Sequence, residues 1–245
     1  MAGCKGILDS QAETHFKRID MKKLYKIPVL FLSGVLLLLS TASCTKNTNG
    51  PGTINNNNDQ SLATISGQIY NFPKDSLNEF ERKSLLFIRE EEKLARDVYI
   101  AMYNQWGTNV FSNISASEQT HMDAILILLN RYVITDPAGA PGVFVNTTLQ
   151  SLYHQLVQQG SKSILDAYKV GATIEDLDIY DIENSIEGID NKDILWVYAS
   201  LTKGSRNHLR SYFRNIVASG STYTPQYISQ NEFDSIINSP METGF

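Results

Sequence analysis

From Leu77 to Gly220 the chain carries four long stretches in which apolar residues recur at spacings of three and four. No sustained alternation of apolar and polar residues interrupts them. That period belongs to helices with one face against a core, and four of them without strands imply an all-α antiparallel four-helix bundle. The first runs from about Ser76 to Trp106, opened by a capping box of Ser76 and Glu79 and stopped by Gly107. The others span about Ser112 to Tyr132, Ser163 to Glu187 and Asp190 to near Gly220. Between the second and third, "TDPAGAPG" reads as a loop and "TLQSLYHQLVQQG" as a short extra helix in the middle connection. A C-terminal extension, "YTPQYISQNEFDSIIN", reads as an extended piece and one short helix. The helices differ too much in length and pattern for a repeat solenoid.

Polar residues that break the apolar stripes carry the functional information, because a buried charge is costly unless paired or bound to metal. On the first helix Glu92 shares the stripe of Ile88, Ala95, Tyr99 and Met102, and Glu91 borders it. On the second, Glu118 sits one turn before His121, which heads the stripe Ile125, Leu128, Leu129 and Tyr132. The third has Glu175 in mid-stripe and Asp178 one turn on. The fourth has His208 between Ser205 and Tyr212. Each helix therefore offers at least one carboxylate or imidazole, a donor set suited to iron, manganese or zinc. Each residue also has a plain reading. Glu118 would cap a helix with Ser115, and Glu90, Glu91 and Glu92 would form a solvated charge run. His208 would lie on the surface between Arg206 and Arg210, while Glu175 and Asp178 would pair with Arg96, Arg206 or Arg210. His154, on the short helix, reads as structural.

Composition narrows the chemistry. Hydrophobic residues make up 42% of the chain, enough for a packed core. The only cysteines are Cys4 and Cys44, so a metal in the helical region must be held by carboxylates and histidines. The net charge is -5, with no basic block among the helices, which argues against a nucleic-acid partner.

From Met21, "MKKLYKIPVLFLSGVLLLLSTASC" has a basic start, a 13-residue run from Ile27 to Leu39 with few interruptions, and small residues before Cys44. This reads as a signal peptide over residues 21–43, with Cys44 as the lipidated residue of a bacterial lipoprotein, although Leu is commoner where Thr41 stands. The alternative is an uncut anchor helix. Residues 1–20 read as an over-long start, 44–62 as a flexible tether, 63–230 as the helical domain and 231–245 as a tail. Of the 21 Lys/Arg and 26 Asp/Glu, six and three precede Cys44, so the remainder has 15 basic and 23 acidic residues, a net of -8.

Together the four helices resemble ferritin-like dimetal proteins, in which two helices each give a Glu and two give Glu-x-x-His. "EKLARDVY" from Glu92 resembles the first helix of rubrerythrin-type proteins, and "EQTH" from Glu118 matches Glu-x-x-His. More closely, "EEEKLARDVY", "ASEQTHMDA", "VGATIEDLDI" and "GSRNHLRSYF" are similar to a ferritin-like bacterial family catalogued as domain of unknown function 2202, over about Leu77 to Tyr227. The resemblance implies metal ligands at Glu92, Glu118, His121, Glu175 and His208, with Asp178 as a replacement ligand. The fourth helix departs from the pattern: "SRNH" puts Ser205 where a bridging Glu is expected. The expectation is therefore an envelope protein, periplasm-facing or surface-exposed, anchored to membrane through Cys44. It would bind one or two ions of iron or manganese and open a redox role, with a homodimer compatible with the tether. The alternative is a metal-free interaction module. A metal-free Glu/His hydrolase fits less well, since no strained nucleophile turn is present.

Overall fold

A computed structural model describes the backbone of residues 56–245 and the side chains of 62–245. Cys44, the segment that reads as a signal peptide and most of the segment that reads as a tether lie outside the described residues. Among the described residues the secondary structure is entirely helical, with α1 (Asn56–Asn71), α2 (Glu79–Trp106), α3 (Asn109–Arg131), α4 (Thr147–Gly160), α5 (Ile164–Ile186), α6 (Lys192–Ala218) and α7 (Gln230–Ile237). Ser61–Phe245 form one compact unit, which holds every candidate ligand.

The capping box that opens α2 is Asn78 with Glu81, not Ser76 with Glu79. Asn78 Oδ1 accepts from Glu81 N–H at 2.9 Å, and Asn78 N–H donates to Glu81 Oε2 at 2.9 Å. The other oxygen of Glu81 accepts from the backbone N–H groups of Asp190 and Asn191, both at 3.0 Å. One buried carboxylate thus ties the start of α2 to the turn before α6. Gly107 closes α2 in the left-handed region at φ 64°, where glycine carries no Cβ penalty. Only Thr108 then precedes α3, so α2 and α3 run antiparallel side by side.

α2 packs along α3 and α5 along α6, and the two pairs meet through α2 with α5 and α3 with α6. α4 rests on α2 and α5, and α7 on α6. One core cluster joins the N-terminal parts of α2 (Leu85, Ile88) and α6 (Ile194, Val197, Leu201) to the C-terminal parts of α3 (Ile125, Leu128) and α5 (Ile182). α1 adds Ile65 and Ile69 to the same cluster. This helix begins at Asn56, inside the segment that reads as a tether; its six leading polar residues hide the start of an apolar stripe. Further along the bundle lie Tyr99, Met102, Phe111 and Tyr212, all fully buried. The candidate ligands occupy positions between these two apolar ends on every long helix.

Candidate metal centre

Glu92, Glu118, His121, Glu175 and His208 are all buried. Glu118 is no helix cap, since α3 begins nine residues earlier at Asn109. The charge run splits three ways instead of facing solvent. Glu90 accepts the backbone N–H groups of Val145 (2.5 Å) and Asn146 (3.0 Å) at the entry to α4. Glu91 faces Asp181, and Glu92 faces His121. Nor do the arginines neutralise the inner acids. Arg96 binds Asp97 and Gln119, while Arg206 and Arg210 bind Glu242. His154 is exposed beside Gln150.

The five residues form two groups with one member in common. Donor atoms of Glu92, Glu118 and His121 lie within 4.8 Å of one another, and so do those of Glu118, Glu175 and His208. Glu118 Oε2 is 2.8 Å from His121 Nδ1, and its Oε1 is 2.8 Å from His208 Nδ1. The carboxylate thus turns one oxygen to each imidazole. His121 Nδ1 also lies 3.0 Å from Glu92 Oε2, and His208 Nδ1 lies 3.4 Å from Glu175 Oε2. Of these four approaches only His121 with Glu92 is aligned as a hydrogen bond. Both Glu118 oxygens, Glu175 Oε2 and His208 Nδ1 have no hydrogen-bond partner. Lone pairs that crowd together without pointing at one another fit a shared cation, because buried polar atoms are otherwise almost always satisfied.

The surroundings orient these donors. Tyr99 donates its hydroxyl to Glu175 Oε1 at 2.5 Å, leaving Oε2 to face His208. His208 Nε2 sits 2.9 Å from Ser117 Oγ, a contact that fixes the ring and frees Nδ1 for a cation. Gly204, in mid-α6, makes room for His121: a Cβ there would come within 2.4 Å of Nε2. Sequence reading missed Gly204, although a glycine inside a long helix is itself a sign of close approach. It also missed Ser117, for which no local signal exists. Asp178 is buried with both oxygens unpartnered, but belongs to neither ligand group. Ser205 turns its hydroxyl back to Leu201 O at 3.2 Å and offers nothing to the centre.

Electrostatics follow from burial and crowding. Burial raises Glu92 to about 7, with the His121 charge opposing and Glu118 adding to the rise. Burial likewise raises Glu175 to about 7 against the His208 charge. For Glu118 the charges of His208 and His121 outweigh burial and hold the carboxyl below its usual range. Burial would lower His121, yet Glu92 and Glu118 lift it to about 10. His208 rises in the same way beside Glu118 and Glu175. Asp178 and Glu91 are driven well up by burial and by each other's neighbourhood of acids. Without a cation, His121 and His208 thus keep their protons near neutral pH, Glu118 is ionised and Glu92 and Glu175 are part-protonated, so a bound cation would have to displace protons.

A protein of Methanocaldococcus jannaschii described as "Uncharacterized protein MJ0754" is 53% identical to this chain over 178 residues, covering 72% of this chain and 96% of that relative. A crystal structure described as that of hypothetical protein MJ0754 from Methanococcus jannaschii matches with a TM-score of 0.68 at 53% identity. The match covers 69% of this chain and 98% of the other. Residues 81–240 fit the family described as "Uncharacterized protein domain (DUF2202)", and the chain belongs to that family.

Proposed function

We propose that this protein is a ferritin-like metal-binding protein whose centre takes two divalent cations. One would be held by Glu92, Glu118 and His121, the other by Glu118, Glu175 and His208. The observation that carries this reading is Glu118, whose two oxygens each lie 2.8 Å from a different imidazole nitrogen. A carboxylate with that disposition would serve as a ligand to both ions. The helix directions support the ferritin-like part. α3 and α5 send their C-terminal halves to the same core cluster, so the connection between them must return along the bundle. One such long crossover is the ferritin-like arrangement.

Oxygen and imidazole donors without thiolate suit iron, manganese or zinc, and the ferritin-like resemblance points to the first two. Iron would supply redox chemistry toward a small oxidant. The protein's own part is to bind the ions, orient the donors through Tyr99 and Ser117, and keep bulk water out. Lipid anchoring through Cys44 to the cell envelope is proposed from the sequence alone.

Elemental analysis of protein produced with iron, manganese and zinc available tests the reading. Two equivalents are expected, lost when His121 and His208 are both replaced by alanine. A folded protein free of metal would overturn it. That result would favour a metal-free interaction module, for which the hydrogen-bonded pair of His121 and Glu92 already offers partial charge balance.

A further inference from the structure

Between α3 and α6 a cavity of about 240 Å³ opens onto the centre; both His121 and His208 line it, with Lys203 and Asn207 beside them. Gly244 and Phe245 complete its lining. We infer that this cavity is the port through which small hydrated solutes, divalent cations first among them, reach the centre, and that Met241–Phe245 is the strap that closes it. The cation part rests on the metal-binding reading above.

The strap is held by a row of residues at helical spacing on α6. Lys203 Nζ donates to Thr243 O at 3.2 Å. Arg206 grips Glu242 with two nitrogens, Nε to Oε1 at 2.9 Å and Nη2 to Oε2 at 2.5 Å. Asn207 pairs with the Glu242 backbone in both directions, each bond 2.9 Å. Arg210 Nη2 adds a bond to Glu242 Oε1 at 3.0 Å. These four positions form one ridge, so the strap crosses the helix whose inner side carries His208. Beyond the latch, the Phe245 ring lies 5.4 Å from that of Trp196 and edge-on to His121 at 6.5 Å between centroids. Phe245 therefore lies beside a candidate ligand in the cavity wall.

The latch is polar and partly in solvent. Arg206 and Glu242 keep 27% and 30% of their side-chain surface exposed, while Arg210, 4% exposed, binds the same carboxylate from inside. The apolar hold on residues 241–245 comes from Phe245, which packs with Trp196 at the edge of the core cluster, while Met241 is 47% exposed. The strap also lies just past the residues that fit the family, 81–240.

A cysteine placed in the cavity reports on the gate without any metal. Ser200 lines the cavity and is 7% exposed, so Ser200→Cys is a near-isosteric probe. In metal-free protein, iodoacetamide should label that cysteine about fivefold faster when Glu242→Ala is added, with unchanged circular dichroism. Glu242→Asp should restore most of the protection. In metal-loaded protein, Glu242→Ala should speed metal removal by a chelator by a similar factor while leaving the metal content unchanged. Equal labelling rates with and without Glu242→Ala, and again with Phe245→Ala, would overturn the strap. A chain that takes up no metal yet shows the labelling difference would overturn the cation reading and leave the gate standing.

Discussion

His208 Nδ1 lies 2.8 Å from Glu118 Oε1, yet no hydrogen bond joins them. The contact is a close imidazole–carboxylate approach that lies off the hydrogen-bond axis. The same carboxylate meets His121 through its second oxygen, so Glu118 is the member on which both ligand groups depend.

Glu118→Gln should therefore empty both metal positions, whereas Glu92→Gln and Glu175→Gln should each weaken chiefly one. Metal stoichiometry of the three variants measures this. Equal losses in all three, or full retention in Glu118→Gln, would contradict the shared-ligand geometry.

Metal loading should release protons, and affinity should rise with pH between about 6 and 8. Glu92 and Glu175 sit at about 7 and His121 at about 10, so a cation must expel their protons to bind. Stability of the metal-free protein should run the other way. These folded values lie above the unfolded ones, so the folded state binds more protons and stability falls as pH rises from about 5 toward 10. Thermal melts across that range, with and without metal, should slope in opposite directions.

Gly204→Ala should cost metal, not fold. Alanine is favoured over glycine inside a helix by about 1 kcal/mol. Its Cβ, however, would lie 2.4 Å from His121 Nε2 and push the ring off Glu92 and Glu118. Helix content should be unchanged while metal occupancy drops; unchanged occupancy would show that the ring can move without loss.

Asp176→Ala should loosen the segment after α6. The buried Asp176 carboxylate accepts from the backbone N–H groups of Gln226 (2.5 Å), Tyr227 (3.2 Å) and Ile228 (2.8 Å) and from the Tyr223 hydroxyl (2.8 Å). Orphaning these donors costs about 3 kcal/mol. Denaturant titration should show the loss, and hydrogen exchange at residues 226–228 should accelerate.

Val133→Gly should stabilise the protein by about 1 kcal/mol. Val133 follows α3 with φ 57°, a left-handed conformation that a β-branched side chain resists. Its side chain is 85% exposed, so little packing is lost. A melting temperature that falls would show that the strain is smaller than the entropy glycine adds to the unfolded chain.

Much of this was legible in the sequence. The four long helices fall within a few residues of where apolar periodicity puts them, because that period is a local property of the chain. Capping was misread by one motif: Asn78-x-x-Glu81 competes with Ser76-x-x-Glu79, and only Glu81 also reaches the N–H groups of Asp190 and Asn191. α1 was missed since its opening residues are polar and its stripe, Ile65 and Ile69, is short. For Glu90, Glu91 and Glu92 a solvated run competes with the inner-face reading of Glu92, because local sequence does not show that α4 and α5 cover the run.

By itself, the sequence determined which residue types stand on the inner stripe of each helix, and hence that carboxylates and imidazoles would enter the core. The tertiary structure alone decided which of them meet. It turned both oxygens of Glu118 toward histidines, left Asp178 outside both groups, and brought Gly244 and Phe245 to the cavity that His121 and His208 line. Those outcomes depend on the rotation and axial offset of each helix against its neighbours. Both are set by the packing of every side chain at once, not by any short stretch of the chain.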